Sequence, residues 1–415
     1  MKSWKHRRIK ELGYLRLGKM LTEKPILGFH QRPYLKSKNI DWLNLKLDSV
    51  EQMYFSDFEL KSLRLRKNDL VISEGGEVGK TALWQDEIQE CYIQNSVHKL
   101  TLNKECNPKF YLYFFYILGH VGYFKSIVNL VSIMHLTYEK LRRIEVPVPP
   151  LEVQQKMVDY LDIKLSEIDT QVSLFTSKRD AYLRLKKSII NHAVTRGLNP
   201  NVKMKDSGIE WIGEVPEHWE MCRFKDAFRR WTTGITPDSK NYKYFESDIC
   251  KGYTWVTISD FLEKYISQSN LNLSDESIKL FMPPLSLKGS LMFSFKLSVG
   301  KIAFADKDLY TNEAIVSIPP NNGQCLEYYY YMLPNVLHEN ATENIYGAKM
   351  LNQKIIANML MVVPPLPEQR AIATYLDEKC AKIDTIVSNL DKQISRYADL
   401  KRSLIDEVIT GKRAV

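Results

Sequence analysis

The sequence predicts an α+β protein in which two similar mixed domains, each a barrel-like twisted sheet plus helices, are separated by two long helices that form an antiparallel, pseudo-twofold coiled coil. Three observations predict this fold. The second half of the chain repeats the first, each repeat ends in a run with coiled-coil spacing, and the parts before those runs alternate short β-like stretches with turns. The 415 residues, 44% of them hydrophobic, suit two to four domains and exclude a disordered or fibrous protein.

The internal repeat is the strongest signal in the sequence. Residues 148–195 align with residues 363–410 without a gap, at an offset of 363 − 148 = 215, and about 20 of the 48 aligned pairs are identical. The same offset pairs Trp4 with Trp219 and Leu136 with Leu351. One unit, a variable body followed by a helix, therefore occurs twice. The predicted domains are a first body (1–147), a first spacer helix (148–205), a second body (206–362) and a second spacer helix (363–415).

Both spacer segments are predicted to contain long helices. Apolar residues in the second follow the alternating spacing of three and four that is typical of a coiled-coil seam, with Lys401 as the one break, while Arg179 and Lys186 interrupt the first. A proline-rich segment precedes each helix. Because proline cannot continue a preceding helix, these segments mark domain boundaries. Since the first helix delivers the chain to the second body, an equivalent second helix runs back, and we expect the pair to be antiparallel.

Charge and composition bound the function. Residues 1–147 carry 24 basic and 16 acidic residues, whereas residues 206–362 carry 15 and 19. Net charge therefore favours nucleic-acid binding by the first body only, and the second would need a locally basic face. The apolar run from Phe110 to Phe124 is too short to cross a bilayer, and the six cysteines lack metal-ligand spacing. We expect a cytoplasmic protein with no membrane segment and no bound metal.

One motif resembles a phosphate-binding loop. The run from Gly75 to Thr81 has the Gly-Lys-Thr ending, but Glu74 stands where the pattern needs glycine, and the residues after Thr81 favour a strand rather than a helix. The matching Ser-Val-Gly-Lys ending at Lys301 favours a turn between two strands in both bodies. Hydrolase and zinc signatures are missing, so the sequence indicates no catalytic centre of its own.

Two further motifs point to a known family. They are Asp206-Ser-Gly-Ile-Glu-Trp-Ile-Gly-Glu-Val-Pro-Glu-His-Trp219, and Pro364-Pro-Leu-Pro-Glu-Gln-Arg370 with the helix that follows. Through these motifs the chain resembles, over its whole length, the specificity subunit of type I restriction–modification systems, and the first motif looks like that family's entry to the second target-recognition domain. The duplicated architecture agrees with the same family. The resemblance implies a non-catalytic subunit whose two bodies are target-recognition domains, each reading one half of a bipartite DNA target.

The resemblance also implies partners and their cofactors. In this family the helices set the spacing between the half-sites and hold two modification (methyltransferase) subunits, which use S-adenosylmethionine to methylate adenine N6. Restriction subunits, which are ATP-dependent translocases and endonucleases, join that core. We therefore expect double-stranded DNA as ligand, and S-adenosylmethionine, ATP and Mg on the partner subunits only.

Candidate site residues follow from the loops and the helix seam. We expect DNA contacts from polar and basic residues on loops that differ between the bodies. These residues are Lys80, Thr81, Ser132, His135, Arg229, Arg230, Thr233, Gly234, Thr236, Lys296, Lys301, Tyr346 and Lys349. We expect partner contacts from seam positions and from the entrance of the second helix. These residues are Leu161, Ile168, Val172, Glu368, Gln369, Arg370, Leu376, Ile383 and Leu390.

Two other interpretations stay open at this point. The chain could be a scaffold whose bodies bind protein and whose coiled coil oligomerises it, in which case binding need not weaken steeply with salt as phosphate contacts do. It could also be an enzyme with an unrecognised nuclease or NTPase site. Substituting Lys80 by Ala would abolish turnover in that enzyme, but would only weaken or alter DNA binding in a specificity subunit.

Overall fold

The computed structural model describes residues 4–128, 135–246, 248, 251–296, 298–321, 323–343 and 349–415. The chain divides into two compact units. The first is Met1–Ser177 together with Leu390–Val415, and the second is Lys178–Asn389. Each unit therefore contains one body, the start of one long helix and the end of the other.

Among its described residues, the first unit contains two small sheets and five short helices before its long helix. Its elements are β1 (Lys5–Arg8), α1 (Ile9–Leu12), β2 (Gly13–Leu17), β3 (Phe29–Leu35), β4 (Ile40–Asp41), β5 (Asn44–Leu45), β6 (Glu51–Ser56), α2 (Asp57–Leu63), β7 (Leu70–Ser73), β8 (Thr81–Leu83), β9 (Tyr92–Ile93), β10 (Val97–Leu102), α3 (Pro108–His120), α4 (Tyr123–Ile127), α5 (Tyr138–Arg143), β11 (Glu145–Val148) and the first part of α6 (Leu151–Arg196). The sheets have the orders β2-β10-β7-β8 and β6-β3-β9, and β1-β11 and β4-β5 form separate pairs.

The second unit has the same order of main elements. These are β12 (Met204–Asp206), β13 (Glu214–Pro216), β14 (Glu220–Arg223), α7 (Phe224–Ala227), β15 (Thr232–Thr233), β16 (Phe245–Glu246), β17 (Tyr253–Val256), β18 (Tyr265–Ile266), β19 (Asn272–Leu273), α8 (Asp275–Phe281), β20 (Leu291–Ser294), β21 (Ile302–Ala305), β22 (Tyr310–Thr311), β23 (Ile315–Ile318), α9 (Leu326–Asn340), β24 (Thr342–Glu343), β25 (Lys349–Met350), α10 (Gln353–Asn358), β26 (Leu360–Val363) and α11 (Leu366–Ile409). Its larger sheets have the orders β15-β23-β20-β21-β18 and β16-β19-β17-β22.

Strand register confirms that the two bodies share a fold. In the first unit Lys5 pairs with Val148 and Arg8 with Glu145. In the second, at the repeat offset of 215, Glu220 pairs with Val363 and Arg223 with Leu360. A strand at the start of each body thus pairs antiparallel with the strand that leads into its long helix, so the chain closes each body before the helix begins.

The long helices begin at equivalent residues. Leu151 opens α6 and Leu366 opens α11, each three residues after the last strand of its body. In the first unit Lys401 Nζ lies 2.7 Å from Asp169 Oδ1, and the rings of Phe175 and Tyr397 lie 5.6 Å apart. A later residue on α6 thus meets an earlier one on α11, so the two segments are antiparallel in this unit.

The two lysines that interrupt the predicted seam have the same structural role. Lys401 pairs with Asp169 in the first unit, and in the second unit Lys186 Nζ lies 2.6 Å from Asp384 Oδ1. Both members of the second pair are related to the first by the offset of 215. The breaks in the heptad are therefore repeated inter-helix ion pairs.

The helix α3 supplies much of the core of the first body. Asn107 caps it through hydrogen bonds to two backbone N–H groups, Pro108 occupies its first turn, and seven of its thirteen residues are buried. The apolar run that begins at Phe110 thus forms a largely buried helix, which ends at His120. Within the described residues no helix is long and apolar enough to cross a membrane.

Candidate nucleic-acid interface

Each unit carries a β-hairpin with the same loop geometry. In the hairpin β7–β8, Ser73 N–H donates to Lys80 O (2.8 Å) and Gly79 N–H donates to Ser73 O (2.9 Å). In β20–β21, Ser294 N–H donates to Lys301 O (2.9 Å) and Gly300 N–H donates to Ser294 O (3.0 Å). Thr81 begins a strand, so the predicted turn between strands is confirmed, and the loop does not open a helix as a phosphate-binding loop does.

Glycine is required at the last turn position of both hairpins. Gly79 has φ +82° and Gly300 has φ +90°, in the left-handed region that favours glycine. A Cβ on Gly79 would lie 2.2 Å from the ring of Phe124, and one on Gly300 would lie 2.9 Å from the ring of His338. The loop is thus held against a helix in each body.

A second segment lies beside each hairpin loop. Leu136 N–H donates to Glu74 O (2.8 Å), and Leu351 N–H donates to Phe295 O (2.9 Å). The ring of His135 stands beside Gly75 in the first unit. We call residues 74–80 with His135, and residues 295, 296 and 298–301 with Lys349, the hairpin surfaces of the two units. Ser132 and Tyr346, two of the predicted contact residues, lie outside the described residues.

The hairpin surface of the first unit is dominated by carboxylates. Lys80 Nζ lies 2.8 Å from Glu77 and 3.0 Å from Asp41, and the hydrogen bond to Glu77 is the largest cause that raises the pKa of Lys80. Hydrogen bonds from Lys46 first, and from Lys80, lower the pKa of Asp41 to about 2. Burial raises the pKa of Glu74 against the field of His135. The Lys80 charge is therefore matched within the chain.

Thr81 is buried beneath this loop. Its hydroxyl donates to Gly79 O at 2.9 Å, so the side chain closes the turn. His135 is exposed beside it. Of the three predicted contacts described here, His135 is exposed, Lys80 is half-buried and Thr81 is buried.

The hairpin surface of the second unit presents cations. Lys296 Nζ sits 5.4 Å from the ring centroid of Phe295, Lys301 Nζ donates to Ile258 O (3.1 Å), and Lys349 is exposed on β25. Among the described residues none of these three lysines forms an ion pair with a carboxylate. The second body thus has a locally basic loop although its net charge is negative, which is the local face that its composition could not reveal.

The remaining predicted contacts of the second unit lie on β15 and on the chain before and after it. Arg229 and Arg230 are exposed. Thr233 accepts a hydrogen bond from Gln353 Nε2 (2.9 Å), and the Thr236 hydroxyl bonds to Glu313. Gly234 packs against Thr311, where a Cβ would lie 1.8 Å from the carbonyl oxygen. Gly234 is therefore fixed by backbone packing, and its predicted DNA contact remains untested.

Sequence reasoning missed the residues that hold Lys80. Asp41 forms its second ion pair, and the Trp42 indole N–H approaches Glu77 at 3.4 Å while its ring meets Tyr116 edge-on at 5.9 Å. The Trp42–Glu77 contact joins residues 35 positions apart in sequence, and the other two join residues 80 − 41 = 39 and 116 − 42 = 74 positions apart. No local pattern announces them.

Most predicted partner-binding residues are used inside the chain. In the first unit Leu161, Ile168 and Leu390 are buried, and Val172 is half-buried. In the second unit Leu376 and Ile383 are buried. Whether any of them also contacts a partner remains a prediction.

Two residues of the entrance motif of α11 are hydrogen-bonded within the chain. The Gln369 side chain accepts from Cys325 N–H (2.9 Å) and donates to Pro364 O (2.8 Å). Glu368 accepts from the Trp219 indole N–H (2.9 Å) and lies 2.6 Å from His218 Nε2. Only Arg370 of the three predicted residues in this motif is exposed.

The entrance of α6 repeats the glutamine but not the glutamate. Gln154 accepts from Asn107 N–H (2.8 Å) and donates to Pro149 O (2.8 Å), as Gln369 does with its own body. Val153 stands at the position of Glu368. Each body is thus joined to its own helix by one buried glutamine, and no cluster of metal-ligand side chains occurs within the described residues.

Two repeated α+β bodies, each ending in a long helix and each presenting a hairpin loop with different side chains, define a class of tandem DNA-reading subunits. The sequence model of the type I restriction modification DNA specificity domain matches residues 1–173 and 216–396, so the chain belongs to this family. The chain is therefore a DNA specificity subunit, and subunits of this family are non-catalytic in general. The interpretation as a protein-binding scaffold is not favoured.

Relatives and solved structures agree. The chain is 27% identical over 188 residues to the type I restriction enzyme MjaIX specificity subunit of Methanocaldococcus jannaschii, over 44% of this chain and 41% of that protein. It is 22% identical to the putative MjaX specificity subunit of the same organism, over 88% and 84% of the two chains. It is 20% identical to the EcoBI specificity subunit of Escherichia coli, over 83% and 73%.

The fold matches over nearly the whole chain. A chain from a structure concerned with complex assembly and conformational transition of the type I R-M system has a TM-score of 0.72 at 16% identity, over 99% of this chain and 98% of that one. The HsdS subunit from Thermoanaerobacter tengcongensis has a TM-score of 0.51 at 16% identity, with the same coverage. These likenesses show the fold.

Proposed function

We propose that each body reads one half of a bipartite double-stranded DNA target, and that the two long helices set the spacing between the halves. The observation that carries this proposal is the duplicated hairpin: its backbone hydrogen bonds are the same in both units, while its side chains differ. A constant backbone with variable side chains is what two readers of different sequences require. Base edges in the major groove carry distinguishable donor and acceptor patterns for such side chains to read.

The electrostatics of the two hairpin surfaces support different reading modes. Glu74 and Glu77 in the first unit can accept hydrogen bonds from base amino groups, whereas Lys296 and Lys301 in the second can donate to guanine or to phosphate. Carboxylates accept and ammonium groups donate, so one loop cannot substitute for the other. We therefore expect the two half-sites to differ in sequence.

The helices are the proposed docking elements for two modification subunits, with restriction subunits joining that core. Their exposed positions, such as Arg370, carry this part of the proposal because the apolar seam residues are already buried. Methyl transfer with S-adenosylmethionine, and ATP- and Mg-dependent translocation and cleavage, belong to those partners. This chain supplies recognition of the DNA sequence and no reacting group.

The test is a methylation map. The full chain is expressed with its modification subunits in a host that lacks other adenine methylation, and N6-methyladenine is mapped across the genome. We expect a split motif of two short specified halves around a fixed unspecified gap. A variant with Lys296→Ala and Lys301→Ala should alter or relax one half and leave the other half and the gap unchanged.

The matched control is Lys279→Ala, because Lys279 is an exposed lysine on α8 of the same unit and lies outside the hairpin surface. It should leave the whole motif unchanged. A genome methylated at a single continuous motif contradicts the bipartite reading. A hairpin variant that alters both halves contradicts the assignment of one hairpin to one half.

A further inference from the structure

The first unit contains a basic cleft that the hairpin surface does not include. It has a volume of about 570 Å³ and lies where the end of β1, α1 and α5 meet. Four cations and two carboxylates line it, namely Arg8, Lys10, Arg142, Arg143, Glu139 and Glu145.

The carboxylates do not neutralise this basic cleft. Glu139 is shared between Arg142 (3.0 Å) and Arg143 (3.7 Å). Glu145 lies 3.5 Å from Arg8, and Lys10 forms no ion pair among the described residues. Four positive charges against two negative ones leave the cleft with a net charge of +2, which favours an anionic ligand.

Two segments contribute both to the basic cleft and to the contacts of the hairpin surface. Phe124 of α4 packs under Gly79 of the hairpin, and its neighbour Tyr123 lines the cleft. His135 stands beside Gly75, and α5, which begins three residues later at Tyr138, carries three of the lining residues. These short stretches of chain place the cleft close to the hairpin surface.

The second unit keeps two of the four cations at equivalent positions. At the offset of 215, Arg8 and Lys10 correspond to Arg223 and Lys225, at the end of β14 and on α7, and both are exposed. The α5 side differs, because exposed Lys354 of α10 replaces Glu139, and Ala357 and Asn358 replace Arg142 and Arg143. The helices α7 and α10 are in contact as α1 and α5 are, so three cations again lie on elements that pack together.

We propose that the basic cleft is a phosphate-binding anchor that grips the DNA backbone next to the half-site and reads no bases. The proposal rests on the proposed function and adds the source of affinity in the first unit. The hairpin surface of that unit carries Glu74 and Glu77, and Lys80 is already paired, so it repels phosphates. Lysine and arginine contacts to phosphate fix register and supply salt-dependent affinity without sequence information.

The test compares two charge-matched double variants of the full chain. Lys10→Gln with Arg143→Gln removes two cations from the basic cleft. Lys61→Gln with Lys67→Gln removes two exposed cations of the same body that do not line it. Binding to a duplex of about 30 base pairs of unrelated sequence is measured by fluorescence anisotropy between 50 and 200 mM salt, and circular dichroism checks that each variant is folded.

The slope of log K against log salt is negative, and each lost phosphate contact should make it shallower by about 0.9. The cleft variant should therefore lose about 1.8 in slope, which makes its affinity about tenfold less sensitive to salt over that range. Lys10→Gln alone should give about half of this change. The control should change the slope by a small fraction of that amount, and the methylated motif should be the same in all of them.

Two results would overturn the anchor. A cleft variant that binds like the control shows that the cleft does not touch phosphate, and one whose methylated motif has changed shows that it reads bases. Both are distinct from failure of the proposed function itself, in which the unsubstituted complex would produce no bipartite motif.

Discussion

The glutamine at the entrance of each long helix offers a quantitative test of how a body is joined to its helix. Gln154 and Gln369 are each 1% exposed or less, and each accepts from one backbone N–H and donates to the carbonyl of the proline five residues earlier. Gln154 also donates to Glu105 O at 3.2 Å. Replacing either by leucine keeps the volume but leaves both buried backbone groups without a partner. An unsatisfied buried group costs about 1–3 kcal/mol, so each substitution should cost about 2–6 kcal/mol of the free energy of unfolding of its unit.

The assay is urea denaturation of the full chain, with limited proteolysis to show which unit opens first. Gln155→Leu is the matched control, because Gln155 is exposed and bonds to the Asn107 side chain and Asp159. It should change stability by no more than about 0.5 kcal/mol. The reasoning is refuted if Gln154→Leu is no more destabilising than Gln155→Leu, or if Gln369→Leu opens the first unit before the second.

Three further predictions concern stability. Burial lowers the pKa of His98 to about 4, below its unfolded value of about 6.5, so the unfolded state binds the proton first as the pH falls. The first unit should therefore lose stability as pH falls from about 6.5 to 4, and His98→Leu should flatten that part of a pH–stability profile. Gly79→Ala should cost several kcal/mol because its Cβ meets the Phe124 ring, whereas Gly76→Ala, with positive φ but open space around it, should cost about 1 kcal/mol in thermal melts. The Lys401–Asp169 pair is exposed at the carboxylate, so a double-mutant cycle should yield at most about 1 kcal/mol, falling with added salt.

The repeat is what made the fold predictable. An ungapped alignment at a fixed offset places equivalent residues in equivalent surroundings, so the two helices begin at Leu151 and Leu366 as the alignment requires. The turn at Gly79 was predictable from the matching Val-Gly-Lys ending at Lys301, although the two hairpins lie 221 positions apart, at 300 − 79 = 221, rather than 215. Lys186 and Lys401, which interrupt the coiled-coil spacing, also recur at the offset, and each forms an ion pair between the two helices.

The site was less predictable because its geometry is made by contacts distant in sequence. The charge of Lys80 is matched by Asp41, 39 positions earlier, and no local pattern announces that pairing. Gln369 looked available for a partner from its motif alone, but its side chain is consumed by Cys325 and Pro364. Local sequence shows which residues can donate or accept, and only the fold shows which of them are already occupied.

The central claim, that each body reads its own half of the DNA target, is tested most directly by duplicating one body. Residues 206–362 are replaced by a second copy of residues 1–147 in the full chain, and N6-methyladenine is mapped with the modification subunits present. Because both positions then present the hairpin of the first unit, we predict a split motif with two identical halves in inverted orientation. A motif that keeps the half read by the original second body would contradict the claim.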